Sequence, residues 1–478
     1  MMTRLQALLL VVVAVLLTSG LLLALGLYLY VTQMPRLAPW HTQTLSVEFS
    51  QQRHLKHFDD YLQLEQQLFN QLDDFSANFS QSVSQPQDYN RYYQGSFSDP
   101  KQWPQQWNQS YYWPVAEAEF GILLVHGMSD SPYALSNIAN AFKGKASVLG
   151  LRLPGHGTLP SALVNTQADD LLAATTLAIH HLRQELKGKP IYFIGFSTGA
   201  AIGLNLELKQ LQRGASPYFE RMVFISPAIG LTPLSELAKW QTRIGQWFGI
   251  ELLAWNSIKQ EYDPYRYGSF AINAADTVLQ LVNENRRLLA QLTTEQLAKL
   301  PAIQAFQSIS DNTVSTQAII TDLFQRLGSQ HQLVLFDINR VIEQFQLLKR
   351  DPRSALVYRP HQDSYQLTVI ENVTKDSPKV QAYHRHGPHT AIEALDMTWP
   401  NNVYSLSHIA LPFAATDPVY GNELVAGYEQ IALGRFYAKG EAGVHTINAT
   451  DMLRQKWNPF FDYMLRQTAE HVSGAPAP

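Results

Sequence analysis

Apolar and polar positions follow three different patterns along this chain. From Leu5 to Val31 the residues are almost wholly apolar, interrupted only by Gln6, Thr18 and Ser19. That run exceeds the roughly 20 residues a bilayer-spanning helix needs. It is also longer than the apolar core of about 7–15 residues in a cleaved signal peptide. It predicts a single transmembrane helix over residues 5–31, with Tyr28, Tyr30 and Trp40 as an interfacial aromatic belt at its end. After a polar, proline-containing linker, Phe58, Tyr61, Leu62, Leu68, Phe69, Leu72 and Phe75 fall at helical spacing. They predict an amphipathic helix packed on the body of the protein.

From Phe120 the pattern changes again. Gly121–Val125, Ser147–Leu151, Ile191–Ile194 and Met222–Ile225 are short, continuous apolar runs. Such runs are expected of strands buried on both faces of a parallel sheet. Helical patterns separate them, over Ser131–Phe142, Asp169–Glu185 and Ala200–Gln212. Strands alternating with helices predict an α/β fold with a mainly parallel central sheet. Between residues 230 and 299 the alternation stops. Leu231, Leu234, Leu237, Trp240, Ile244, Trp247, Phe248 and Leu252 recur at helical spacing, which predicts a helical cap above the sheet. Strands resume at Ala302–Ser308 and Leu333–Phe336, with Val403–Leu406 a further candidate. The alternation around Tyr365–Ile370 predicts an added hairpin. The expected organisation is therefore a membrane anchor (5–31), a linker and aromatic-rich lead-in (32–115), a catalytic body (116–229 and 300–478) and a cap (230–299). In the lead-in, Trp103, Trp107, Tyr111, Tyr112 and Trp113 are expected to cover a sheet edge.

Composition narrows the function. The 478 residues are 46% hydrophobic, with a formal charge of −4 and scattered Lys and Arg. No basic stripe supports a nucleic-acid partner. The absence of cysteine removes disulfides, thiolate metal sites and cysteine catalysis. His384, His386 and His389 are close in sequence but lack nearby carboxylates or a helical template, so they are expected to be loop residues and not a metal site. No cofactor or metal is implied.

The candidate chemistry begins at Gly195-Phe196-Ser197-Thr198-Gly199, placed where a strand gives way to a helix. G-x-S-x-G at such a junction is the pattern of a nucleophile elbow; the plainer reading is a β–α turn whose serine caps the helix. Hydrolysis at Ser197 also needs a base, an acid that orients it, and donors for an oxyanion. Asp311 directly follows the Ala302–Ser308 strand, and Asp337 after Leu333–Phe336 is the alternative acid. His408 follows the last candidate strand and is the best base. His126-Gly127-Met128 follows the first strand of the body, so the backbone N–H of Met128 would join that of Thr198 as oxyanion donor, with His126 holding the loop.

Together, Leu124-Val125-His126-Gly127-Met128-Ser129-Asp130-Ser131-Pro132, Leu153-Pro154-Gly155-His156-Gly157-Thr158, Gly195–Gly199, Ser310-Asp311-Asn312-Thr313-Val314 and Ser407-His408 resemble the α/β-hydrolase superfamily. The Leu-Pro-Gly-His-Gly loop and the cap most resemble its monoglyceride lipase and lysophospholipase group. The resemblance runs from about Phe120 to the C-terminus. It implies an α/β-hydrolase fold with Ser197 as nucleophile, Asp311 as acid, His408 as base, and Met128 and Thr198 as oxyanion donors. A long interval separates Asp311 from His408, and the anchor and lead-in have no counterpart in a minimal member.

The expected protein is a membrane-anchored serine hydrolase of carboxylic esters, with lysophospholipid or monoacylglycerol as candidate substrates. Acyl transfer, peptidase activity and a catalytically silent binding module are the alternatives. Positive charge flanks the apolar run on both sides, with Arg4 before it and Arg36, Arg53 and Lys56 after it. A short N-terminal tail with an arginine fits a tail inside and a body on the extracytoplasmic side. With that orientation, protease added to spheroplasts digests the body; a body resistant in spheroplasts and cleaved only after lysis would reverse it.

Overall fold

The apolar runs become the strands of one sheet. The computed structural model describes residues 4–230, 245, 249–341, 351–353, 364–435, 447 and 449–474. Among these, β1 (Tyr111–Trp113), β2 (Gly121–Val125), β3 (Ser147–Leu151), β4 (Ile191–Phe196), β5 (Arg221–Ile225), β8 (Ala302–Ser308), β9 (Gln332–Phe336), β10 (Gln366–Asn372), β11 (Lys379–His386) and β12 (His389–Thr398) form a ten-stranded sheet. Its order is β1-β3-β2-β4-β5-β8-β9-β10-β11-β12. The strands from β3 to β10 are parallel; β1, β11 and β12 run antiparallel to their neighbours. A separate pair, β6 (Trp255–Ser257) and β7 (Phe270–Ala271), lies outside it.

Every residue of β2 and β3 is buried because both faces of the sheet are covered. On one face Leu123, Val125, Leu149 and Phe193 pack with Leu171, Leu204, Leu208 and Leu288. These come from helices α4 (Ala168–Leu186), α5 (Thr198–Gln212) and α6 (Ile272–Gln291). On the other face Ile122, Leu124, Ile194 and Val223 meet Ile138, Phe461 and Met464, from α3 (Ser136–Phe142) and α7 (Phe461–Ser473).

Several expectations change. The cap was expected to run to residue 299, but α6 packs against α5 as part of the layer flanking the sheet. Asn205 and Asn285 hydrogen-bond across that contact at 2.8 Å, and Asn285 Nδ2 also donates to the Ala201 carbonyl at 2.9 Å. Most of the Leu/Trp pattern that suggested the cap, in 231–244 and 246–248, lies outside the described residues. Val403–Leu406 is not a strand. The place beside β9 is taken by β10, and the Tyr404 and Leu406 carbonyls are paired instead with Asn339 N (2.8 Å) and Ser308 Oγ (2.7 Å). His384, His386 and His389 are strand residues on β11 and β12, not loop residues. The predicted hairpin exists as β10–β11, and it extends the main sheet.

The segment from Trp40 to Trp113 is docked on the body. Helix α1 (Arg4–Gln33) contains a 26-residue stretch, Leu8–Gln33, long and apolar enough to cross a membrane. Trp40, expected in an interfacial belt, is buried against Phe79 and Tyr92 instead. The predicted amphipathic helix is α2 (Phe58–Ser82), which buries Phe58, Tyr61, Leu68, Phe69, Phe75 and Phe79. β1 caps the edge of β3, and Trp103 and Trp107 are buried beside it, so the aromatic lead-in covers a sheet edge as expected.

One cation ties these parts together. The Arg152 side chain, 1% exposed, follows β3. It pairs with Glu65 of α2 and with Glu48, each at 3.0 Å, and donates to the His156 carbonyl at 2.9 Å. Glu65 also accepts from the backbone N–H and hydroxyl of Ser110, just before β1. Removing one partner of such a buried pair strands the other charge and typically costs about 3–5 kcal/mol. Arg152→Ala is expected to lose that much stability in chemical denaturation of the full chain; a loss under about 1 kcal/mol would mean the cluster does not hold α2.

Candidate active site

The chain turns sharply between β4 and α5, and Ser197 occupies the turn at φ 52° and ψ −113°. Positive φ is strained for a residue with a Cβ and costs about 1–3 kcal/mol. The surroundings allow it because small residues permit close approach. A Cβ on Gly199 would stand 2.0 Å from the Val125 carbonyl oxygen, and one on Gly195 would stand 2.6 Å from Ala200 N. Ser197 N donates to the Ile225 carbonyl at 2.9 Å, pinning the turn to β5.

Asp311 and His408 are 97 residues apart in sequence, yet His408 Nδ1 donates to Asp311 Oδ2 at 2.8 Å. Both side chains are buried. The pairing leaves Nε2 as the acceptor nitrogen of the neutral ring. His408 and Ser197 line the same cavity, of about 440 Å³. The second Asp311 oxygen accepts from the N–H groups of Thr313 (2.7 Å) and Val314 (3.1 Å). Burial pushes the Asp311 carboxyl up, but His408 and these donors outweigh it and hold it below its ordinary value. The other candidate acid, Asp337, is fully buried and committed to Arg340, whose Nη2 donates to it at 2.9 Å.

Met128 and Thr198 line the cavity with Ser197. Thr198 is the first residue of α5, so its N–H has no acceptor within the helix. A Cβ on Gly127 would stand 3.1 Å from Ser197 Cβ, so the Gly127-Met128 backbone runs directly beside the serine. His126 braces this loop. Its Nδ1 donates to the Gly127 carbonyl at 2.8 Å, and its Nε2 accepts from Leu153 N at 3.0 Å. The Leu153–Thr158 motif is thereby locked to the loop before the serine.

A profile of the alpha/beta hydrolase family matches residues 122–366, more than half of the chain. The chain belongs to that family. The hydrolase is also similar to solved structures that each cover 48% of it. A monoacylglycerol lipase of Paleococcus ferrophilus is 14% identical, with 88% of that chain covered and a TM-score of 0.37. A soluble variant of the Saccharomyces cerevisiae monoglyceride lipase is 16% identical, with 82% covered and a TM-score of 0.35. A structure from the metagenome-derived lipolytic enzymes LipS and LipT is 18% identical, with 87% covered and a TM-score of 0.37. No curated protein matches the chain.

The cavity also holds groups that the motifs did not point to. Lys259, Arg266 and Arg454 line it, together with Asp130. Arg266 Nε lies 3.5 Å from Asp130 Oδ1. Asp130 stood inside a recognised motif and could have been singled out there. Arg454 lies beyond His408 in a stretch with no motif and no periodicity, and nothing in the sequence marked it.

The hydrolase buries neutral histidines both beside the serine, at His126 and His156, and at the opposite end of the sheet, where His331 accepts from Ile303 N and His471 meets the Ala302 carbonyl. Burial holds His126 well below its ordinary value, and lowers His156, His331 and His471 to about 4. A histidine depressed in the fold contributes its full stability above the unfolded value of about 6.5. That stability is lost as pH falls toward the folded value, at about 1.4 kcal/mol per pH unit for each proton taken up. Unfolding free energy should therefore fall steeply from pH 6.5 to pH 4, and the His331→Gln variant should give a shallower slope. A flat profile over that window would contradict the neutral, buried assignment.

Proposed function

We propose that this hydrolase is a membrane-anchored serine enzyme that cleaves carboxylic esters through an acyl-enzyme, with lipid esters such as lysophospholipid or monoacylglycerol as substrates. The observation that carries the reading is the pairing of Asp311 with His408 beside a cavity that Ser197 also lines from a strained turn. In the proposed reaction Ser197 Oγ attacks the ester carbonyl carbon as its proton passes to His408 Nε2. The oxyanion accepts hydrogen bonds from the N–H groups of Met128 and Thr198, each worth about 3–4 kcal/mol in the transition state. The C–O bond breaks, and His408 returns the proton to the departing alcohol. Water then repeats the sequence, releasing the acid and restoring Ser197. Asp311 keeps Nδ1 protonated and stabilises the imidazolium.

The lipid preference rests on two features. Ala228, Phe270, Ile272, Ala275, Val278 and Val314 give the cavity an apolar wall suited to an acyl chain. Helix α1, with its apolar side chains outward, would hold the enzyme at a bilayer with its body on the extracytoplasmic side.

Ser197→Ala should abolish labelling by a fluorophosphonate probe. Asp311→Asn should lower kcat by about 10⁴-fold, because the wrong histidine tautomer would face the serine. Asp337→Asn should lower thermal stability and leave kcat within about tenfold. Persistent labelling of Ser197→Ala, or equal kinetic losses in the two aspartate variants, would sink the assignment.

A further inference from the structure

The cavity beside Ser197 has two characters. Its apolar wall is described above. Lys259, Arg266 and Arg454 line another part, and these three also line an adjoining recess of about 80 Å³ that contains Asp263, Asp451 and Lys456. None of the six apolar wall residues reaches that recess. The cations therefore stand where the cavity opens into the recess.

The carboxylates around them are already engaged. Lys259 Nζ pairs with Asp451 at 2.7 Å, and Arg266 faces Asp130 at 3.5 Å. Asp263 Oδ1 accepts from the Tyr420 hydroxyl at 2.7 Å and from the N–H groups of Tyr265 and Arg266. Lys456 Nζ donates to the Asp451 carbonyl at 2.8 Å. Of the four cations, Lys259 and Arg266 face carboxylates and Lys456 donates to the Asp451 and Arg454 carbonyls, whereas the Arg454 guanidinium has a neutral side-chain neighbour. Its Nη2 lies 3.5 Å from Thr313 Oγ1. Among the described residues no carboxylate lies within ion-pair distance of it. Burial and the neighbouring Arg266 push Arg454 down to about 10, and burial pushes Lys456 down to about 8. Nearby carboxylates push both groups back up without offsetting burial.

A guanidinium offers a planar fork of donors that matches a phosphate or carboxylate. Thr313, its neighbour, donates its own N–H to Asp311, so the fork sits one residue pair from the catalytic acid. We propose that Arg454, flanked by Lys259 and Arg266, is a specificity-determining subsite for an anionic group, phosphate or carboxylate, carried by the ester substrate. The enzyme then selects amphiphiles with an acyl chain against the Phe270–Val278 wall and an anion at the mouth of the recess. This inference rests on the ester-hydrolase reading.

The test compares two esters of one acyl chain, a monoacylglycerol and its glycerol-phosphate counterpart, on the full chain in neutral detergent. The wild type should favour the phosphate ester at least about tenfold in kcat/KM. Arg454→Gln should lower the anionic-to-neutral ratio by about 10–100-fold, chiefly through KM, and Arg454→Lys, which keeps the charge without the fork, should restore only part of it. A wild-type ratio near one, an unchanged ratio in Arg454→Gln, or a Lys variant as poor as Gln would overturn the subsite. A long-chain alkyl phosphate should inhibit neutral-ester turnover far better than inorganic phosphate. Equal inhibition by the two would make the site one for free phosphate and overturn substrate selection. Fluorophosphonate labelling of the wild type is read in parallel. Labelling without selectivity removes only the subsite; no labelling removes the hydrolase reading and the subsite with it.

Discussion

The turn at Ser197 is the constraint around which the rest of the molecule is arranged. A residue with a side chain is held at positive φ, and such strain persists only where the surroundings over-determine it. Here they do. The turn is hydrogen-bonded to β5, α5 starts immediately after it, and Gly199 lets that helix press against the end of β2. Gly203, one turn further on, brings the helix onto Phe193 of β4, where a Cβ would stand 2.3 Å from the ring. β2, β4 and β5 must therefore be adjacent and parallel for the serine to be presented at all. The loop after β2 then has nowhere to run except past the serine. That places the Gly127-Met128 backbone where the proposed chemistry needs it.

The acid and base meet by a longer route. β8 delivers Asp311 at its end, as a parallel strand next to β5 should. The chain then adds β9 to the sheet and builds β10, β11 and β12 outward before returning. The returning segment is fastened back by the Ser308 hydroxyl on the Leu406 carbonyl, and by Ser226, whose hydroxyl donates to the His408 carbonyl at 3.3 Å. The insertion therefore extends the sheet without moving the site. Asp337 shows the other fate of an aspartate at a strand end: it is neutralised by an arginine and holds a loop.

The sheet was legible in the sequence because its strands are buried on both faces. Gly121–Val125 and Ser147–Leu151 are apolar enough to be bounded to the residue, and Ala302–Ser308 matches its observed bounds despite Gln304 and Gln307. Ser197, Asp311 and Met128 were legible because each lies just past the end of a strand; His408 was reached through Val403–Leu406, which is no strand, and its place comes from Asp311 and from Ser226 under its carbonyl. What failed to read had tertiary causes. Residues 272–291 carry an amphipathic pattern equally suited to a cap or a flanking layer, and only Asn285 against α5 decides between them. Val403–Leu406 has strand-forming residues, but β10 had already taken the sheet edge. Arg152 and Arg454 are single charges whose meaning comes from residues far away in the chain. Periodicity carries no trace of such pairings.

The docking of the N-terminal segment has a consequence for how substrate is met. Only six residues lie between Gln33, the end of α1, and Trp40, which is already buried in the body. Fully extended, that link spans no more than about 25 Å. Pro35 and Pro39 stiffen it further. With α1 in a bilayer, as proposed, the body rides at the surface and cannot sample the bulk. Encounter would become a search in two dimensions, in which turnover follows the mole fraction of substrate in the membrane plane and not its concentration in solution.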